Sequence, residues 1–183
     1  MTIHIWRHPK PKAADGICIG QEDIAVDRRK IKRLANRIER FVRLHKLPKV
    51  IWVSPLQRSL KIGEVLAERG FTCLVAAELS EINFGDWDGR PWSTISKREI
   101  DNWCSDFAHF APTNGESLQQ LFDRVVSWSQ TTSSTLEGKP ILAVGHAGWI
   151  NAAKLIDSGQ GIPETADQWP SAVGYGEYSQ LRL

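Results

Sequence analysis

Long apolar runs are missing from this chain. Nowhere do roughly 18 uncharged apolar residues follow one another, the length a helix needs to cross a bilayer, so no membrane partner is expected. No leader is expected either. The chain begins directly with the strand-like run Ile3 to Trp6, without a basic segment followed by a long apolar one, and the cytoplasm is the expected compartment. Cysteine is scarce: Cys18, Cys73 and Cys104 are widely spaced and form no CxxC pair. That pattern argues against a disulfide framework and against a zinc knuckle, and the thiols are expected to be reduced. There is no internal repeat and no low-complexity tract. A formal net charge of +2 is too small to mark the whole molecule as the partner of a polyanion.

What is present fits one ordinary domain over residues 1–183, long enough to bury a full core. The charge is unevenly spread, with Arg28 to Lys49 strongly basic. Within it Ile31, Leu34, Ile38 and Phe41 recur at helical spacing while Arg29, Lys30, Lys32, Arg33, Arg37 and Arg40 fill the remaining surface, the mark of an amphipathic helix. A solvated cationic face is preferred over nucleic-acid binding there, because no nucleic-acid-binding motif accompanies it. Short runs rich in Ile, Val, Leu or Trp at 3–6, 50–53, 71–76 and 141–144 read as buried strands. Helices are expected near 27–45, 56–69 and 116–136. This alternation predicts an α/β fold, a three-layer α/β/α domain with a mostly parallel central sheet and helices on both faces. Glu177 to Leu183 alternates like an edge strand. Residues 9–26 and 80–115 read as long loops with at most short helices, the kind that cover a site.

In open α/β sheets the ligand crevice lies beyond the carboxyl ends of the strands, where His8 and His146 both fall. A neutral imidazole can attack phosphorus, and a neighbouring arginine such as Arg7 can hold the phosphoryl oxygens. Arg58 follows the strand at 50–53 through Ser54-Pro55-Leu56, in which Ser54 can cap a helix and Pro55 suits its first position. Taken alone, Arg58 reads rather as a surface arginine, since arginine is mostly exposed. His4 and His8 are four apart, which on a strand is roughly 13 Å and too far to share one ion, so metal ligation is disfavoured. Glu81 lies in a segment with Phe84 and Trp87; a carboxyl group desolvated among those rings would suit proton donation, although the glycines and aromatics there could equally be turns and core. Thr113 and Glu116 have the spacing of a helix capping box. Gly148 permits close backbone approach at the start of a helix, and also simply eases a turn.

In order, Arg7-His8, Ser54-Pro55-Leu56-Gln57-Arg58, Glu81 to Gly89, Gly115-Glu116-Ser117 and Gly145-His146-Ala147-Gly148 resemble the motifs of the histidine phosphatase, or phosphoglycerate mutase-like, superfamily. Gly16 to Asp23 is similar to a loop of its α-ribazole phosphatase-like branch. The resemblance implies a metal-independent phosphomonoester hydrolase that needs no organic cofactor and takes a small phosphomonoester, with α-ribazole 5'-phosphate of cobalamin biosynthesis as the specific candidate. It implies that His8 attacks phosphorus, that Arg7, Arg58 and His146 surround the phosphoryl oxygens, that Gly20 and Ala147 border the substrate, and that Glu81 protonates the leaving oxygen and then activates water. Two alternatives accompany it: phosphoglycerate mutase-type phosphotransfer, ranked lower because residues 90–112 are poor in paired arginines, and a weakly catalytic binding or regulatory protein. The chain departs from the family pattern at Pro9, where glycine is usual, and at Trp149 and Asn151, where a small apolar residue and an arginine are common.

Overall fold

The computed structural model describes residues 1–12, 14–136 and 139–183. Five strands, β1 (Thr2–Arg7), β2 (Val50–Val53), β3 (Thr72–Val75), β4 (Ile141–Gly145) and β5 (Tyr178–Arg182), form one sheet in the order β3-β2-β4-β1-β5. All neighbours are parallel except β5, which pairs antiparallel with β1 at the edge, as the alternation of residues 177–183 predicts.

The period of two in the strands divides the core. Ile3 and Ile5 of β1, with Ile141 and Ala143 of β4, face α4 (Leu118–Leu136) and α5 (Ala147–Asp157), where they meet Leu121, Val125, Trp149 and Ile150. Trp6, Leu142, Val144, Ile51 and Val53 face the other way, onto α1 (Arg28–His45) and α2 (Gln57–Ala67). Helix α1 buries Ile31, Leu34, Ala35, Ile38 and Val42, and each large side chain so buried stabilises the fold by about 1.5–3 kcal/mol. Its polar side remains cationic. The Asp27 carboxylate accepts from the Arg29 amide at its start, and Lys46 ends it in the left-handed conformation. The result is the expected α/β/α layering.

Two local expectations are corrected. Ser54 does not cap α2, whose first flanking residue is Leu56 with no side-chain cap; the Ser54 hydroxyl is instead drawn inward to His146. Thr113 and Glu116 do not form a capping box. Helix α4 starts at Leu118, and the reciprocal pair at its entrance is Ser117 with Gln120, each side chain accepting from the other's amide. Glu116 is spent elsewhere, on the Asn83 amide and on Arg124.

Residues 80–115 contain two short 3-10 turns and one nine-residue helix, α3 (Lys97–Ser105), whose start is a capping box between Ser96 and Glu99. This excursion has its own small core. Cys18, Trp87 and Ile95 are buried there against Phe84, Trp103 and Phe110, next to the carboxyl ends of the strands.

Candidate active site

β1 and β4 are neighbours in register, with Arg7 opposite Gly145, so His8 and His146 leave the sheet side by side. Their ring centroids are 4.9 Å apart. The His8 amide donates to the Gly145 carbonyl, which fixes the backbone from which the imidazole projects.

The protonation pattern of His8 follows from its neighbours. Nδ1 lies 2.8 Å from the Pro9 carbonyl oxygen, and since a carbonyl only accepts, Nδ1 carries the hydrogen. Burial, with Arg58 and Arg7 close by, lowers the pKa of this imidazole to about 3 although the Pro9 contact opposes the shift. His8 is therefore neutral at pH 7, with the lone pair on Nε2. Pro9 has no amide hydrogen to offer, but it is the carbonyl of this residue that orients the ring.

His146 is wholly buried. Arg58 Nε donates to its Nδ1 at 3.3 Å, so Nε2 carries the hydrogen and donates to Ser54 Oγ at 2.7 Å. Burial, His8 and the arginines hold its pKa well below 6.5. The sequence offers Ser54 as a helix cap and as the first residue of the motif that ends in Arg58. Nothing in its local pattern signals a partner 92 residues away.

Arg58 is not a surface arginine. It is 1% exposed, and besides His146 it binds the Glu22 carbonyl at 2.6 Å through Nη1 and the Gly20 carbonyl through Nη2. Three of its five N–H groups are thus occupied, two remaining for another acceptor. The Gly20 and Gln21 amides donate to Asp88, so the loop carrying Gly20 is tied both to Arg58 and to the aromatic excursion. Burial pushes the Arg7 and Arg58 guanidiniums below their ordinary value, and the nearby Glu81 charge opposes this. The buried Nε of Arg7 has no hydrogen-bond partner among the described residues. Its guanidinium carbon stands 3.7 Å from the ring centroid of Tyr175, while Nη1 donates to the Val173 carbonyl.

Glu81 is 7% exposed, but Phe84 and Trp87 are not its surroundings; those rings pack against Trp103 in the excursion. The carboxylate sits instead at the N-terminus of α5. It accepts from the Gly148 amide at 3.1 Å, the Trp149 amide at 3.2 Å and the Ile82 amide at 3.1 Å. Gly148 earns its place by space: a Cβ there would come within 2.4 Å of Glu81 Oε1. Arg124 pins the backbone behind Glu81 through the Glu78 and Ser80 carbonyls and pairs with Glu116 at 2.5 Å. Ala147 is buried as the first residue of α5, beside His146.

Tyr175 is the main residue that the sequence did not single out. Its ring is 5.7 Å from that of His8 and is 39% exposed. The departure at Asn151 helps to place it. Asn151 Nδ2 donates to the Pro170 and Ser171 carbonyls, tying α5 to the segment that carries Val173 and Tyr175. Trp149 is used for packing against Trp128, with Nε1 donating to the Glu78 carbonyl.

His4 is separate from this centre. Its Nδ1 is 2.8 Å from the Tyr178 hydroxyl. No helix among the described residues is long and apolar enough to cross a membrane.

Known proteins resemble this chain in sequence and in fold. The family model described as the histidine phosphatase superfamily (branch 1) matches residues 3–166. An adenosylcobalamin/alpha-ribazole phosphatase of Escherichia coli (strain K12) is 29% identical over 191 residues, covering 100% of this chain and 90% of the relative. The crystal structure of the alpha-ribazole phosphatase from Shigella flexneri is 28% identical with a TM-score of 0.75, covering 98% of this chain and 89% of that one. A mycobacterial glucosyl-3-phosphoglycerate phosphatase shares the fold at 22% identity, with a TM-score of 0.79 and coverage of 99% and 89%.

Proposed function

Because the chain belongs to the histidine phosphatase superfamily and is a phosphatase, we propose that it hydrolyses small phosphomonoesters through a phosphohistidine formed on His8. The observation that carries this reading is the neutral His8, held by the Pro9 carbonyl with its Nε2 lone pair free.

In the first step Nε2 attacks phosphorus, a P–N bond forms, and the bond from phosphorus to the ester oxygen breaks. Arg7 and the two remaining N–H groups of Arg58 receive the phosphoryl oxygens. His146 lies beside His8 and stays neutral, its Nδ1 accepting from Arg58 Nε and its Nε2 donating to Ser54, so that it positions Arg58 for the phosphoryl group. These groups supply a positive field in a site from which water is largely excluded, so the reaction needs no metal. Glu81, positioned by three amides, takes the proton of the bound phosphomonoester monoanion and passes it to the departing oxygen. In the second step its carboxylate takes a proton from water, which attacks phosphorus. The P–N bond breaks and His8 returns neutral. Gly20 and Ala147 border the phosphate.

The substrate proposed from the relatives' names is α-ribazole 5'-phosphate, which would give the protein a place in cobalamin biosynthesis. Hydrolysis of p-nitrophenyl phosphate and α-ribazole 5'-phosphate, with a chelator present, tests both levels. Turnover that persists in the chelator supports the mechanism, and a kcat/KM for α-ribazole 5'-phosphate far above that for other esters supports the substrate. Loss of all turnover on chelation contradicts the mechanism.

A further inference from the structure

Past the short turn at Ala77–Leu79 the chain enters neither helix nor strand until Gly85, and Glu81 stands within that stretch. Its direction is therefore set by side chains that reach in from other elements. Arg124 of α4 gathers three carbonyls around it: Nη1 donates to Glu78 at 2.6 Å and to Ser80 at 2.8 Å, and Nη2 donates to Glu81 itself at 3.4 Å. Glu116 holds the other edge of the guanidinium, 2.5 Å from Nη2 and 3.3 Å from Nε. Both side chains of this pair are largely shielded from water, at 19% and 15% exposed. Glu116 also accepts from the Asn83 amide at 2.9 Å, and its own amide donates to the Asn83 carbonyl at 2.8 Å. The chain is thus fixed on both sides of Glu81.

A second anchor comes from α5. The Trp149 indole Nε1 donates to the Glu78 carbonyl at 2.9 Å, the same oxygen that Arg124 holds, while the Trp149 amide donates to the Glu81 carboxylate at 3.2 Å. One residue therefore secures both the backbone of the segment and its acidic group. The small apolar residue usual at this position in the family offers the amide, but has no indole to reach Glu78. Trp149 is wholly buried against Trp128, whose own Nε1 has no partner among the described residues. Because Glu116 compensates the charge of Arg124, what Arg124 supplies to Glu81 is geometry: a planar fork spans separated acceptors that a lysine cannot hold together.

We propose that Arg124, braced by Glu116, and the indole of Trp149 are positioning residues for proton transfer at Glu81. They touch neither phosphorus nor the leaving group. The inference rests on the hydrolase reading above and deepens it by naming what aims the acid. A proton passes between heavy atoms only at about 2.6–3.2 Å, and a misplacement of about 1 Å costs about 100-fold. Loosening the segment therefore penalises esters whose alcohol must leave protonated, and spares those whose alcohol leaves as a stable anion.

The test is the ratio of kcat/KM for p-nitrophenyl phosphate to that for glycerol 3-phosphate, since kcat/KM counts steps only through departure of the alcohol. The ratio should rise by about tenfold or more in R124K and by about threefold or more in W149F. W128F removes a like indole from the same packing cluster and frees no carbonyl of the segment, so its ratio should stay within about twofold of the wild-type value. An unchanged ratio in R124K or in W149F, or a rise in W128F that matches W149F, overturns the proposal. If R124K does not fold, W149F against W128F decides alone. E81Q separates this inference from the reading beneath it. A raised ratio in E81Q with unchanged ratios in R124K and W149F overturns the positioning roles and leaves Glu81 as the acid. An unchanged ratio in E81Q contradicts the acid itself, and absence of turnover of both esters by the wild-type protein contradicts the hydrolase reading.

Discussion

His8 Nδ1 meets the carbonyl oxygen of Pro9 at 2.8 Å, a contact between adjacent residues that leaves Nε2 as the reactive nitrogen. The proline is a departure from the family pattern, yet the group it contributes is one that every residue has. Pro9→Gly should therefore keep kcat within about threefold, while lowering stability by about 0.5–1 kcal/mol through the freer unfolded chain. Urea midpoints and initial rates check the two halves separately. A tenfold or larger loss of kcat would show that the ring, rather than the carbonyl, matters.

Stability should fall on acidification. Burial lowers the folded-state pKa of His8 from 6.5 to about 3 and moves His146 and His4 in the same direction. As pH drops through 6.5 the unfolded chain takes up protons that the folded chain refuses. The contribution is complete above the unfolded value and is lost progressively toward the folded one, at up to about 1.4 kcal/mol per pH unit for each fully buried histidine. Denaturant midpoints at pH 7 and pH 5 measure this, and His8→Ala should flatten the slope. A midpoint that stays level or rises at pH 5 contradicts the assignment of neutral imidazoles.

Glu81→Gln should discriminate between leaving groups. p-Nitrophenolate departs without a proton, so its ester should be hardly affected in the first step. An alkyl phosphate such as glycerol 3-phosphate should lose about 100-fold or more in kcat/KM. Equal losses for both esters would reduce Glu81 to a structural role.

Arg58→Lys keeps the charge and loses the fork that reaches Gly20, Glu22 and His146 together. It should cost about 1–3 kcal/mol of stability through unsatisfied buried carbonyls, and raise KM as the loop around Gly20 loosens. Native-like kinetics in R58K would contradict the role given to this guanidinium.

The layered fold and the pairing of His8 with His146 were legible because both follow from local patterns, apolar runs of strand length and the register they impose. Arg58 was placed correctly near the sheet edge, whereas its burial depended on the carbonyls of residues 20 and 22, which no spacing reveals. Ser54 and Thr113 were misread because a cap is a local explanation, and in both cases a distant partner or a nearby competing pair prevailed. Glu81 stands in a recognisable segment whose local sequence offers Phe84 and Trp87 as neighbours, while the amides at the N-terminus of α5, 67 and 68 residues on, are the stronger partners for a carboxylate. Tyr175 carries no motif, and Asn151, a departure from one, finds its partners only in the chain reversal at 170–177.

The proposed catalysis passes through a covalent intermediate at His8. Rapid acid-free quenching during turnover of a radiolabelled phosphomonoester, followed by peptide mapping, reads it directly. Label that is acid-labile, confined to the peptide containing His8 and absent from His8→Ala is the predicted result; sustained turnover with no label on His8, or activity retained in His8→Ala, would contradict it.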